Sequence, residues 1–329
     1  MTMWQRQIRD EIVAVAGIWW ELVRIILPVA VATEMLMRVG AIAAIAPLFR
    51  PLTDFYGLPP ELALALLAGL LMGIWNAAIL LFVLVPVGDL SVADVTVFST
   101  LILFAHALPI EQRIIRRAGP GMIVSSVLRI AGGLIYAAML HALFQATGWL
   151  SQPVAPGWQP MAESQGWPGF LAGLMQTLAM MFVILSVLTL MVAALRRIGL
   201  MALLQRGLAP ILRLAGIRGA AVQLTVIGLL LGISYGGGLL IREARAGHIP
   251  PRQVLLSCLF MGFAHSIIED TLIMVALGAD AVAILAGRLI FAMAATALVA
   301  AILDRLPDQR IKGLMPGFCT TVKRPDTNA

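Results

Sequence analysis

Apolar residues run through the chain in long blocks separated by short polar breaks. Stretches such as Leu171 to Leu195 and Ala281 to Leu303 reach the roughly 20 residues that a helix needs to cross about 30 Å of hydrocarbon. Alternation at period two is absent, so the blocks predict helices and not barrel strands. The same parts occur twice in the same order. An apolar helix (12–38 and 169–195) leads to an amphipathic stretch (40–56 and 199–215), then to a glycine-interrupted segment (60–89 and 219–246). Two further helices close each set (94–110 and 120–146, then 253–278 and 281–304).

Sliding the sequence against itself by 159 positions aligns the two sets without a gap. Gly40 then meets Gly199, Pro51 meets Pro210, Gly57 meets Gly216, Gly73-Ile74 meets Gly232-Ile233, Phe104-Ala105-His106 meets Phe263-Ala264-His265, and Arg129 meets Arg288. Leu and Ala coincide by chance in apolar chains, so the His, Arg, Pro and Gly matches carry the repeat.

Arginine and lysine positions decide how the glycine-interrupted segments sit. If each folds back as a hairpin, each half crosses three times and the second half is inverted relative to the first. The groups Arg113 to Arg117, Arg196 to Arg218 and Arg242 to Arg252 then share one side with Arg6, Arg9 and the basic tail, while the linker 147–168 carries no Lys or Arg. Were 219–246 a single crossing, one of those groups would be stranded outside. Irregular backbone at membrane depth must line a cavity or be buried in protein, so the tips Gly73 to Ala77 and Gly232 to Gly238 are candidate binding sites. Close helix packing through small residues is the alternative.

Composition narrows the class. Of 329 residues, 60% are hydrophobic and 12% charged, and the mean hydropathy of +0.96 lies outside the soluble range. The net charge of +6 is spread between apolar blocks without an aromatic-interleaved patch, which argues topology and not nucleic acid. Arg6, Arg9, Asp10 and Glu11 precede the first apolar helix without a cleavage pattern, so that helix is expected to stay as an anchor. Cys258 and Cys319 suggest no disulfide. Trp149, Trp158 and Trp167 read as interfacial anchors, and the tail 306–329 reads as disordered.

Ionisable residues inside a membrane are costly and mark function by default. Two symmetric groups stand out: His106 and Glu111, with Pro109 between them expected to break or kink the helix and expose carbonyls, and His265, Glu269 and Asp270. His265 and Glu269 share a face if their helix is continuous. Three readings stay open. The groups converge on a divalent cation, they relay protons that drive a solute, or they are structural, with arginines neutralising the acids. Arg129 and Arg288 are the balancing charges, and Asn76, Ser234, Tyr235, Gly236 and Gly237 at the hairpin tips are the candidate solute contacts. No His-Glu-x-x-His, Gly-x-Ser-x-Gly or phosphate-binding Gly-Lys-Ser/Thr motif occurs, so the chain is not expected to be an enzyme.

The segment from Gly232-Ile-Ser-Tyr-Gly-Gly-Gly through Phe263-Ala-His-Ser-Ile-Ile-Glu-Asp270, with its fainter copy around Gly73 and His106, resembles the nucleoside-recognition (gate) domain family. That family is similar to the core of concentrative nucleoside transporters and to the membrane part of bacterial ferrous-iron permeases. The resemblance implies paired re-entrant hairpins and inverted repeats.

The expectation is an all-helical polytopic membrane protein of two inverted repeats, 1–146 and 169–305, joined by a periplasmic linker. Each has three transmembrane helices, an interfacial amphipathic helix and a re-entrant hairpin. It would lie in the bacterial inner membrane with both termini cytoplasmic, in contact with lipid and compatible with a homo-oligomer. Its expected function is secondary transport of a small polar or charged solute, with a divalent-metal permease and a non-transporting scaffold as the alternatives.

Overall fold

The computed structural model describes residues 51–158 and 166–317 except 246, together with single positions between 16 and 40. The expected first helix, 12–38, and most of the stretch 40–56 therefore lie largely outside the described residues. The architecture is all-helical: among the described residues the only β feature is an isolated bridge between Ser91 and Pro153. Three helical stretches, Val92–Ala118, Met122–Thr147 and Val282–Leu303, are long and apolar enough to cross a membrane.

Helices α1 (Leu62–Met72) and α2 (Ile74–Leu84) are one apolar run divided by Gly73 at φ 112°, ψ 175°. An L side chain resists that conformation and glycine does not. Each half has 11 residues, about 16 Å of helix, too short to cross the hydrocarbon alone.

Next come α3 (Val92–Ala105), α4 (Leu108–Ala118) and α5 (Met122–Thr147). Ser91 opens α3 with a capping box: its Oγ accepts from the Asp94 amide at 3.1 Å, and the Asp94 carboxylate accepts from the Ser91 amide at 2.9 Å. After the 32-residue α6 (Gly166–Arg197) and the short α7 (Leu200–Leu214), α8 (Ala220–Arg245) carries a non-helical Gly232 at φ 81°, ψ 168°. The chain then forms α9 (Pro251–Phe263), α10 (Glu269–Ala276), a π turn at Val282–Gly287, α11 (Arg288–Leu303) and α12 (Asp308–Gly313).

Two expected helices are interrupted. The run 94–110 breaks at His106-Ala107 and the run 253–278 breaks between Ala264 and Ile268, with Ala107 and Ser266 both left-handed at φ 48°. Neighbouring backbone holds both breaks open: the Ala107 amide donates to Gly69 O and the Ile267 amide to Leu229 O, each at 3.0 Å. Exposed amides at membrane depth require partners of this kind. The π turn also has a local cause. Tyr136 Oη donates to Ala283 O at 2.7 Å, a carbonyl that also accepts from the Arg288 amide five residues on, and Gly287 leaves the room for that hydroxyl.

At the core, Phe104, Phe263, Phe291 and Tyr136 pack with ring centroids 5.1 to 6.1 Å apart. Gly132 and Gly133 on α5 face Phe263 and Phe104 so closely that a Cβ on either would clash. Small residues here let the helices approach.

Two expectations need correction. The tail is folded as far as Gly317: α12 forms, Met315 is fully buried, and the Gly121 amide donates to Leu314 O at 2.8 Å. Buried Ile311 and Met315 supply apolar anchors that the polar composition around them obscured. Trp158 is no simple interfacial anchor, because its ring stacks edge-on against buried Trp75 at 5.9 Å and its amide donates to Ala276 O.

Candidate functional site: a buried pair of histidines

The two helix breaks meet. His106 terminates α3 and its Nδ1 lies 3.0 Å from Ile102 O; His265 follows α9 and its Nδ1 lies 2.9 Å from Met261 O. The matching partners bring the rings together, tilted by 36°, with centroids 4.9 Å apart and the two Nε2 atoms at 3.3 Å. Both residues are buried.

Two carboxylates close the cluster. Glu111 Oε1 stands 3.2 Å from His265 Nε2 and 3.8 Å from His106 Nε2, while Asp270 Oδ2 stands 3.5 Å from His106 Nε2. Glu111 reaches inward because α4 restarts just after the break, with Pro109 in its first turn. Asp270 does so from the first turn of α10. His106, His265 and Asp270 offer ligand atoms within 4.8 Å of one another, and imidazole with carboxylate is a donor set suited to first-row divalent metals.

The arginines do more than balance charge. Arg129 on α5 pairs with Glu111 Oε2 and also donates to Phe104 O and His106 O. Arg288 on α11 donates to Phe263 O at 2.8 Å, Leu103 O at 2.8 Å and His265 O at 3.5 Å. Both therefore cap the carbonyls that the ends of α3 and α9 leave unpaired. Arg288 forms no direct ion pair with a carboxylate among the described residues. Its Nη1 and Asp270 Oδ2 are both buried without a hydrogen-bond partner.

The hairpin-tip residues distribute unevenly. Gly73 faces Ala107, and a Cβ on Gly232 would meet Ser266 Oγ at 2.6 Å, so each glycine break abuts a histidine break. Asn76, in the first turn of α2, is buried; its Nδ2 donates to Met72 O at 3.4 Å and its Oδ1 has no partner. Ser234, Tyr235, Gly236 and Gly237 lie on helical backbone after the Gly232 break, and their side chains lie outside the described residues. Glu269 is half-buried at the start of α10, and no ion pair or hydrogen bond of its side chain joins the histidines. The break at Ser266 turns it away from the shared face that a continuous helix would give.

Neither the capping role of the arginines nor the left-handed residues after each histidine follows from hydropathy or periodicity. The recurrence of Phe-Ala-His with an arginine 23 positions after each histidine was the available signal, since four of the five capped carbonyls belong to those Phe and His residues.

The chain is similar to the uncharacterized membrane protein YvoD of Bacillus subtilis (strain 168), 25% identical over 269 residues that span 79% of this chain and 83% of that protein. No protein-family model matches the chain, and no solved structure matches it. This is a membrane protein.

Proposed function

We propose that the protein is a membrane permease in which His106, His265, Glu111 and Asp270 hold a divalent first-row transition metal ion as the transported substrate. The observation that carries this reading is the pair of Nε2 atoms 3.3 Å apart on rings whose Nδ1 atoms each face a carbonyl. A carbonyl only accepts, so each Nδ1 bears the proton and each Nε2 of a neutral ring presents a lone pair. Two such lone pairs repel unless a cation joins them. Tetrahedral coordination with metal–nitrogen bonds of about 2.0–2.1 Å sets neighbouring nitrogens about 3.3 Å apart. Carbonyls behind both imidazoles, and Arg129 behind Glu111, are the outer partners that orient metal ligands.

A gap this narrow admits an atom and not an organic solute. A shared proton also fits it, which gives the second reading: proton-coupled transport of a small polar solute. Two observations favour that reading. The unpartnered Asn76 Oδ1 offers a solute contact apart from the histidines, and Arg129 and Arg288 together cancel the charges of Glu111 and Asp270.

In this proposal the glycine-broken segments are re-entrant hairpins, and the two halves are inverted repeats in a bacterial inner membrane with both termini cytoplasmic. The abutting glycine and histidine breaks support this, as does the resemblance to nucleoside-recognition domains. Transport and not catalysis is the proposed activity.

Calorimetric titration of the purified protein with Mn²⁺, Co²⁺ and Zn²⁺, paired with metal uptake into proteoliposomes, tests the assignment. Saturable binding near one ion per chain, lost in His265→Ala, is expected. Proton-driven flux without metal binding would move the assignment to the second reading, and absence of both would leave a scaffold. A cysteine introduced at Gln159 should react with an impermeant thiol reagent from outside, and one at Gly247 should not; the reverse pattern would overturn the inverted topology.

A further inference from the structure

A second polar site lies where α4 and α8 end. Arg113, Arg116 and Arg117 from α4 and Arg245 from α8, with Pro316 and Gly317, line a cavity of about 400 Å³. Three chain segments distant in sequence build it. The Arg245 Nε donates to Arg117 O at 3.2 Å, the Gly317 amide donates to Gly119 O at 3.0 Å, and the Gly121 amide to Leu314 O at 2.8 Å. Gly317 is required for this closure, because a Cβ there would lie 3.1 Å from Gly119 Cα.

Four guanidiniums thus share one concave space, and among the described residues none of them forms an ion pair. Like charges held together by the fold raise the local potential and attract an anion. The planar N–H fork of arginine matches phosphate oxygens in bidentate fashion, and several forks around one cavity suit a multiply charged group better than chloride. The carbonyls at the ends of α4 and α8 soften the repulsion only in part, since Arg245 alone of the four donates to one of them.

We propose that this cavity binds a phosphate group, carried either by an anionic lipid headgroup or by a soluble phosphorylated compound. Helix α4 also carries Glu111 in its first turn, so the occupant would grip the far end of the helix that supplies a ligand to the histidine cluster. The site stands independently of the metal reading, because no residue is common to both.

The test uses the full chain and compares wild type, Arg116→Gln/Arg117→Gln and Arg116→Lys/Arg117→Lys. Thermal unfolding is followed in detergent with added pyrophosphate against sodium chloride of equal ionic strength, and in nanodiscs of phosphatidylglycerol against phosphatidylcholine. A saturable rise in the melting temperature is expected in at least one arm. The apparent affinity should fall by about tenfold or more in the glutamine variant and by less in the lysine variant, as expected for loss of charge-assisted bonds. A rise with pyrophosphate assigns a soluble ligand; a rise confined to phosphatidylglycerol assigns a lipid. No rise in either arm, or a rise that the glutamine variant keeps in full while its own melting temperature shows it folded, would overturn the proposal.

Discussion

The breaks at His106 and His265 are built alike and charged differently. In each, Nδ1 meets a carbonyl four residues back, a left-handed residue follows, and an arginine 23 residues further on caps the exposed carbonyls. Around the first, Arg129 both caps and neutralises Glu111. Around the second, Arg288 caps without a direct ion pair, and Asp270 Oδ2 is buried without a hydrogen-bond partner. Symmetry thus governs the backbone and the ring positions, whereas the carboxylates divide into one held by an ion pair and one left available.

Breaking the held half should have the largest effect. Glu111→Ala leaves Arg129 charged and unpaired in the interior and is expected to cost about 3–5 kcal/mol of stability, read as loss of the cooperative unfolding transition at moderate temperature. An equally large loss on Asp270→Ala would erase the proposed difference between the halves.

Removing either imidazole should instead strike binding. His106→Ala and His265→Ala are expected to weaken metal affinity at least about a hundredfold, beyond what loss of an outer partner costs, and by similar amounts, as calorimetry would show. Strongly unequal losses would mean that the two Nε2 atoms do not share one ion.

Asp270→Asn sharpens the contrast. The carboxylate gains little from its surroundings, so stability should change by no more than about 1 kcal/mol while metal binding weakens. Stability falling together with affinity would show Asp270 to be a structural counter-charge.

The smallest effect belongs to the backbone. Ala107 sits at φ 48°, a conformation that costs a non-glycine residue about 1–2 kcal/mol, against about 0.5–1 kcal/mol of chain entropy lost when glycine is ordered. Ala107→Gly should therefore leave stability unchanged or raise it by up to about 1 kcal/mol in a denaturant or thermal series. A clear loss would mean that the Ala107 methyl, which faces Gly73, contributes packing that outweighs the strain.

Much of this was legible in the residues. Apolar block length sets helix against strand in a bilayer, and an offset of 159 positions pairs His106 with His265. Glycine at 73 and 232 marks both interruptions of apolar runs, because only glycine takes those angles without strain. Pro109 marked a break near His106, whereas the break after His265 was less visible. Ala107 and Ser266 carry no turn signature, and their left-handed backbone is imposed by hydrogen bonds to Gly69 O and Leu229 O on other helices. For the same reason Glu269 and Asp270 looked equivalent in sequence, and the break turned one inward and left the other half-buried.

What the sequence by itself determined is the class of the molecule, its helical blocks, its duplicated plan and the residues able to carry charge in an apolar interior, because these follow from hydropathy, periodicity and local conformational preference. Only the tertiary structure decided that the two histidines touch, that Arg129 pairs directly with a carboxylate whereas Arg288 does not, and that three chain segments line a cavity rich in arginine. Those facts depend on distances between segments far apart along the chain, which packing sets and local sequence does not record.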